Sequence, residues 1–136
     1  MAPSLIIDIV ASLLLGSMVF FAAVVAPAVF RSLEGDSAGA FLRVLFPRYY
    51  LWGMVLSLAN LGVCLLHSPK DAALMALVLA GFAYARQVLV PALNAARDRW
   101  RETDSPGDKA RFGALHRRSV IINVAQMAML VVIIIA

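Results

Sequence analysis

Six side chains able to do chemistry sit in or beside long apolar stretches: Asn60, Arg86, His116, Ser119, Asn123 and Gln126. An imidazole titrates near neutrality. A guanidinium grips anions, and carboxamides both donate and accept hydrogen bonds. Such groups are costly in hydrocarbon, so each needs a partner or a function. On a helical wheel His116, Ser119, Asn123 and Gln126 fall within an arc of about 80°. Their spacing of 3, 4 and 3 residues is that of a packed helical seam. Gly53, Ser57, Asn60 and Cys64 share one arc with Tyr49. Asp8, Ser12, Gly16, Ala23 and Ala26 share another.

No familiar catalytic set accompanies these residues. Cys64 is the one cysteine, which excludes an intrachain disulfide or a cysteine metal cluster. Neither CxxC, HExxH nor a glycine-rich phosphate loop occurs. His67 and His116 fall on opposite sides of the expected membrane, so paired histidine ligation of a haem is not expected. The reading is of a non-enzymatic protein without a cofactor.

The elements that hold these residues follow from composition. Of 136 residues 62% are hydrophobic and 15% charged. A soluble domain has nearer half and a quarter, and a chain this short cannot hide the excess in its own core. Lipid must cover it. A bilayer core of about 30 Å takes roughly 20 apolar residues as helix. Four stretches qualify: 5–30, 49–66, 72–93 and 119–136. Unpaired backbone is not tolerated in lipid, so each must be helical. The expected fold is an all-α, four-transmembrane-helix bundle forming a single domain over 1–136. The first stretch lacks a basic leader and carries Asp8 early, unlike a cleaved signal peptide.

Charge sets the expected orientation. Arg31, Arg43 and Arg48 flank the first connection, and Arg97, Arg99, Arg101, Lys109, Arg111, Arg117 and Arg118 flank the third. The second holds Lys70 alone. The positive-inside rule then places the basic connections in the cytoplasm and both termini outside, in a bacterial-type plasma membrane. Tyr49, Tyr50, Trp52 and Trp100 suit an aromatic belt on the cytoplasmic side. Residues 37–46 place Phe41, Leu42, Leu45 and Phe46 on one side, which predicts a short interfacial helix ended by Pro47. Pro106 and Gly107 predict a turn, with a new helix from near Lys109. The prolines Pro27 and Pro91 match in position, but nothing else supports an internal repeat.

Depths follow from the helical rise. Arg86 lies about 21 Å from the outer end of its span, and Asn60 about 16 Å from the cytoplasmic end of its own. This predicts one polar layer of Asn60, Arg86, Asn123 and Gln126. Two uses remain open for that seam: interhelical hydrogen bonding, or a path for a small solute, ion or metal. Pairs of small residues (Ser12 and Gly16, Ala76 and Ala80, Gly81 and Ala85) allow close helix approach. Expected partners are the lipid bilayer and either further copies of the chain or other membrane proteins, with no nucleic acid. The rival to the solute reading is a structural or assembly subunit of a larger membrane complex.

Several blocks carry a resemblance. Phe30-Arg31-Ser32-Leu33, Ala38-Gly39, and Leu45-Phe46-Pro47 with Tyr49 and Tyr50 form the first. Ala85-Arg86 with Pro91, and Phe112, His116, Ser119 and Asn123, complete it. Together they resemble the transmembrane-protein-205-like family, four-helix membrane domains of unknown function. The resemblance implies a transport or trafficking role and marks Arg86, His116, Ser119 and Asn123 as pattern residues. Asn60 and Gln126 come from spacing alone. The connection between spans 3 and 4 is much shorter here than in the family's eukaryotic form.

Overall fold

The computed structural model describes residues 2–135. They form four long helices: α1 (Pro3–Ser32), α2 (Gly35–His67), α3 (Pro69–Thr103) and α4 (Pro106–Ile135). No strand occurs among the described residues. Residues 33–34, Ser68 and residues 104–105 are all that separates consecutive helices. Three helices open on a proline, whose missing N–H costs nothing in the first turn. The Ser68 hydroxyl caps the N–H of Asp71 at 3.4 Å. At the third connection Asp104 is left-handed, with φ 49°. The Ser105 hydroxyl then accepts from the N–H of Asp108 and donates to its carboxylate, a reciprocal cap.

The helices pack as a square: α1 on α2, α2 on α3, α3 on α4, and α4 back on α1, with the backbones close along the four sides and not across the diagonals. Stripes at three- and four-residue spacing face the middle. They are Ile7, Ala11, Leu14 and Met18 of α1; Tyr50, Gly53, Ser57, Asn60 and Cys64 of α2; Met75, Val78, Phe82, Ala85 and Leu89 of α3; and Gln126, Leu130 and Ile133 of α4. Gly53 exists to admit a neighbour, since a Cβ there would come within 2.5 Å of the Phe82 ring. The opposite faces are apolar and uncovered: Leu58 is 62% exposed, Leu66 79% and Ile121 67%. A bundle that is apolar outside as well as in is built for lipid. This is an all-α membrane bundle with four helices long and apolar enough to span.

Thirty to thirty-five residues make a helix of roughly 45–53 Å, well beyond the hydrocarbon thickness. The surplus lies on the side of the two basic connections. There a second small core joins Val29, Ala38 and Leu42. That core corrects the expectation of a separate interfacial helix. Residues 37–46 are helical, but they are the first turns of α2, and Pro47 lies inside it. Leu42, Leu45 and Phe46 of the apolar side pack on the end of α1, while Phe41 stays exposed. Pro47 takes the usual donor from the Arg43 carbonyl, and side chains bond two carbonyls beside that gap: Arg48 to Val44 at 3.0 Å and Arg86 Nε to Pro47 at 3.3 Å. Likewise α4 begins at Pro106, not near Lys109, because Pro106 serves as the first helical residue.

Two further features differ from expectation. Ser12, Gly16 and Ala23 of α1 point outward, while its apolar residues face in. And α1 and α3 each contain a π turn, residues 21–25 and 85–89, where the Ala26 N–H reaches Phe21 and the Val90 N–H reaches Ala85. Each π turn precedes a proline by two residues, Pro27 and Pro91. A proline leaves a carbonyl without its usual donor, and a local change of hydrogen-bond register is the common response.

Candidate functional site in the bundle interior

Asn60 is wholly buried on α2. Its Nδ2 donates to the Ile7 carbonyl of α1 at 3.2 Å, and its Oδ1 has no partner. Gln126, 2% exposed on α4, donates through Nε2 to the Val78 carbonyl of α3 at 2.8 Å. The space for that amide comes from Gly81, where a Cβ would meet Gln126 Nε2 at 2.7 Å. Ser57, wholly buried, returns its hydroxyl to the Gly53 carbonyl at 2.6 Å. Asn123 is half-buried, with an Oδ1 that is enclosed and unpartnered; the Tyr49 hydroxyl is in the same condition. Ser119 is half-buried beside the Tyr50 phenol.

Cross-helix bonds fix the heights of these groups. Asn60 is level with Ile7, Gln126 with Val78, and Arg86 with Pro47. Thirteen residues separate Pro47 from Asn60, about 20 Å along the axis. The single polar layer therefore does not form. The groups instead make a column, from Asn60 through Ser57, Gln126 and Asn123 to Ser119 and Tyr49.

Two expected members stand outside the column. Arg86 is half-buried beside Arg48 at the basic end, with only the Pro47 carbonyl bonded. His116 is exposed, its ring parallel to Phe112 at 6.3 Å. Helical phase placed it on the seam, but at this height it is the neighbouring Leu115 that packs on the core. Ser57, Tyr49 and Tyr50 join the column without having been singled out for it. Ser57 and Tyr49 share the arc of Asn60, which was the available signal. The tyrosines had a competing explanation as belt residues, yet Tyr50 is 7% exposed and Tyr49 stacks on Phe21 at 4.2 Å.

At the opposite end a cavity of about 580 Å³ opens between the helix ends. Asp8, His67, Ser68 and Asp71 line it, with Ile7 and Ile133 among its apolar residues. Ile7 thus borders the cavity and gives its carbonyl to Asn60. No group of three side chains suited to a metal ion occurs among the described residues.

Fold and interior define a polytopic helical membrane protein with an uncharged polar column. Residues 9–102 match the family described as Domain of unknown function (DUF4149), and the chain belongs to that family. No curated protein and no solved structure matches it.

Proposed function

We propose that this is a non-enzymatic membrane protein that passes or holds a small polar solute or ion in its interior column. The observation that carries the reading is the set of enclosed oxygens without partners: Asn60 Oδ1, Asn123 Oδ1 and the Tyr49 hydroxyl. A buried polar atom left unpaired costs about 1–3 kcal/mol. Interhelical adhesion alone accounts for Nδ2 of Asn60 and Nε2 of Gln126, both bonded. It does not account for oxygens held with nothing to accept. Such atoms are where water, or a solute replacing it, binds. The column carries no formal charge, so its occupant is a small neutral molecule or a cation shedding part of its hydration shell. The acidic cavity beyond Ile7 favours the latter.

The finer family assignment, transmembrane-protein-205-like, belongs to the same proposal. So does the orientation with both termini outside and the basic connections in the cytoplasm of a bacterial-type plasma membrane. The test is flux through proteoliposomes: stopped-flow scattering for water, glycerol and urea, and dyes for protons and potassium. Wild-type vesicles should exceed empty ones for at least one probe, and Asn60→Leu with Asn123→Leu should remove the excess. Flux equal to that of empty vesicles for all probes would sink the reading.

The second reading, a subunit docked in a larger membrane assembly or a homo-oligomer, rests on the outward small residues. A Cβ at Gly16 or Gly62 would meet nothing within 4 Å, so these faces are open to another helix. Native mass spectrometry from membranes decides it: a chain that leaves the membrane alone and monomeric has no such partner.

A further inference from the structure

Three arginines are drawn to one height by bonds already described or nearby. Arg86 Nε reaches the Pro47 carbonyl, which sets it beside Arg48. Arg118 Nη1 reaches the Tyr84 hydroxyl at 3.4 Å, which sets it within two residues of Arg86. They stand on α2, α3 and α4, three helices in sequence around the square. Each guanidinium donates only to a neutral oxygen: the Val44 carbonyl, the Pro47 carbonyl and the Tyr84 hydroxyl. Among the described residues none has a carboxylate partner.

Three carboxylates on this side are engaged elsewhere. Asp98 pairs with Arg43, Asp36 with Arg101, and Asp108 is held by Thr103 and Ser105. Asp98 is twelve residues beyond Arg86, about 18 Å along the helix. Arg86 is itself seventeen residues past Pro69, about 26 Å, against a hydrocarbon core of roughly 30 Å. Its Cα therefore lies just inside the boundary, from which a long side chain reaches the headgroups. Arg48 and Arg118 are exposed at the same level. Each fork keeps N–H groups free for the planar, two-pronged grip on phosphate that guanidinium makes best.

We propose that Arg48, Arg86 and Arg118 form a belt that binds the phosphodiester headgroups of anionic phospholipids. The belt is independent of the solute column and stands whether or not the protein moves anything. Uncompensated positive charge at headgroup height is complementary to an anionic leaflet. The spread over three helices suits more than one lipid.

The test uses the full chain in nanodiscs of phosphatidylcholine with and without phosphatidylglycerol. Native mass spectrometry should find phosphatidylglycerol retained, and the thermal midpoint should rise with it. Retention should fall roughly fivefold per arginine removed in Arg48→Gln, Arg86→Gln and Arg118→Gln. A control losing equal charge elsewhere, Arg31→Gln with Arg99→Gln and Arg111→Gln, should retain the lipid. If the triple variant misfolds, Arg118→Gln alone, at an exposed position, gives the same reading. Equal loss in belt and control variants overturns the proposal, since general charge would suffice. So does the same rise in midpoint from inorganic phosphate in detergent, which would make the ligand a free anion.

Discussion

The first helical hairpin, α1 with α2, and the second, α3 with α4, are built on one plan and finished differently. Each opens on a proline and carries a π turn two residues before another. Each also has a carboxamide on its second helix bonded to a backbone carbonyl of its first: Asn60 to Ile7, and Gln126 to Val78. A tryptophan ties each together, Trp52 to the Ser17 hydroxyl at 3.2 Å and Trp100 to the Phe112 ring at 5.9 Å. The difference lies near the π turns. In the first hairpin aromatic rings fill that level, with Phe21 against Phe46 and Tyr49. In the second the π turn holds Ala85 and Arg86, and the nearby part of α4 carries His116 and Arg118. At this level the first hairpin packs rings inside and leaves Arg48 exposed, whereas the second turns Arg86 partly inward. Similar backbones thus leave the chemistry to the side chains placed at one height.

The sharpest way to break this comparison is at the contact between hairpins. Gly53→Val drives a branched side chain into the Phe82 ring, which cannot withdraw from the core. Overpacking of this kind costs about 1–3 kcal/mol or more, and the thermal midpoint in detergent should fall sharply. Gly16→Val, with nothing nearby, should leave it unchanged. Equal effects would mean that the hairpins do not meet through Gly53.

Within the second hairpin, Gly81→Ala displaces the Gln126 amide from Val78. The expected loss is about 1 kcal/mol, the scale of an interhelical bond in lipid. Gln126→Leu should make the further change at Gly81 nearly free, which a double-mutant cycle measures.

The two carboxamides should then part company. Gln126→Leu removes a bond with both ends satisfied and should destabilise slightly. Asn60→Leu removes a bond together with an unpaired oxygen, so stability should hold or rise. A clear loss at Asn60 would mean that its oxygen has a partner in the membrane.

The smallest effect is with acid. The hydrogen bond from Arg43 holds the Asp98 carboxyl below its ordinary value of 3.8, and bonds from Thr103 and Ser105 do the same for Asp108. A carboxyl lowered by folding contributes stability that is complete above the ordinary value and lost as pH falls through the lowered one. Asp98 links the two hairpins, whereas Asp108 caps the start of α4 inside one. Carboxyl carbon titration by NMR should show both lowered, and Arg43→Gln should restore Asp98 alone.

Much of this was legible in the sequence because lipid enforces it. The four apolar stretches gave the four helices, and the phase of Asn60 and Gln126 gave their inward aim. What the residues concealed was height and continuity. Counting from the edge of an apolar stretch placed Arg86 in a layer with Asn60. The bond to Pro47 shows that the neighbouring helix has already reached its arginine at that level. Pro47 reads as a stop, yet it costs the helix one hydrogen bond, and the turns before it are held by packing on Val29. Matching prolines hinted at a repeat, but a π turn leaves no residue signature of its own. The outward aim of Ser12 and Gly16 was hidden because in lipid a small residue suits either face.

The connections carry a mechanical consequence. A chain reaches at most about 3.3–3.6 Å per residue, and here one or two residues join each helix to the next. No helix can slide along its neighbour by even one full turn without unwinding an end. Any motion that opens the interior must therefore be a tilt about pinned corners, and at Ser68 the pin is stiffened by the ring of Pro69. Opening α2 from α3 at the basic end, where Arg43 and Asp98 hold them, turns both about that corner. The freedom of the molecule is that of a folded rule, with angles to change and no lengths.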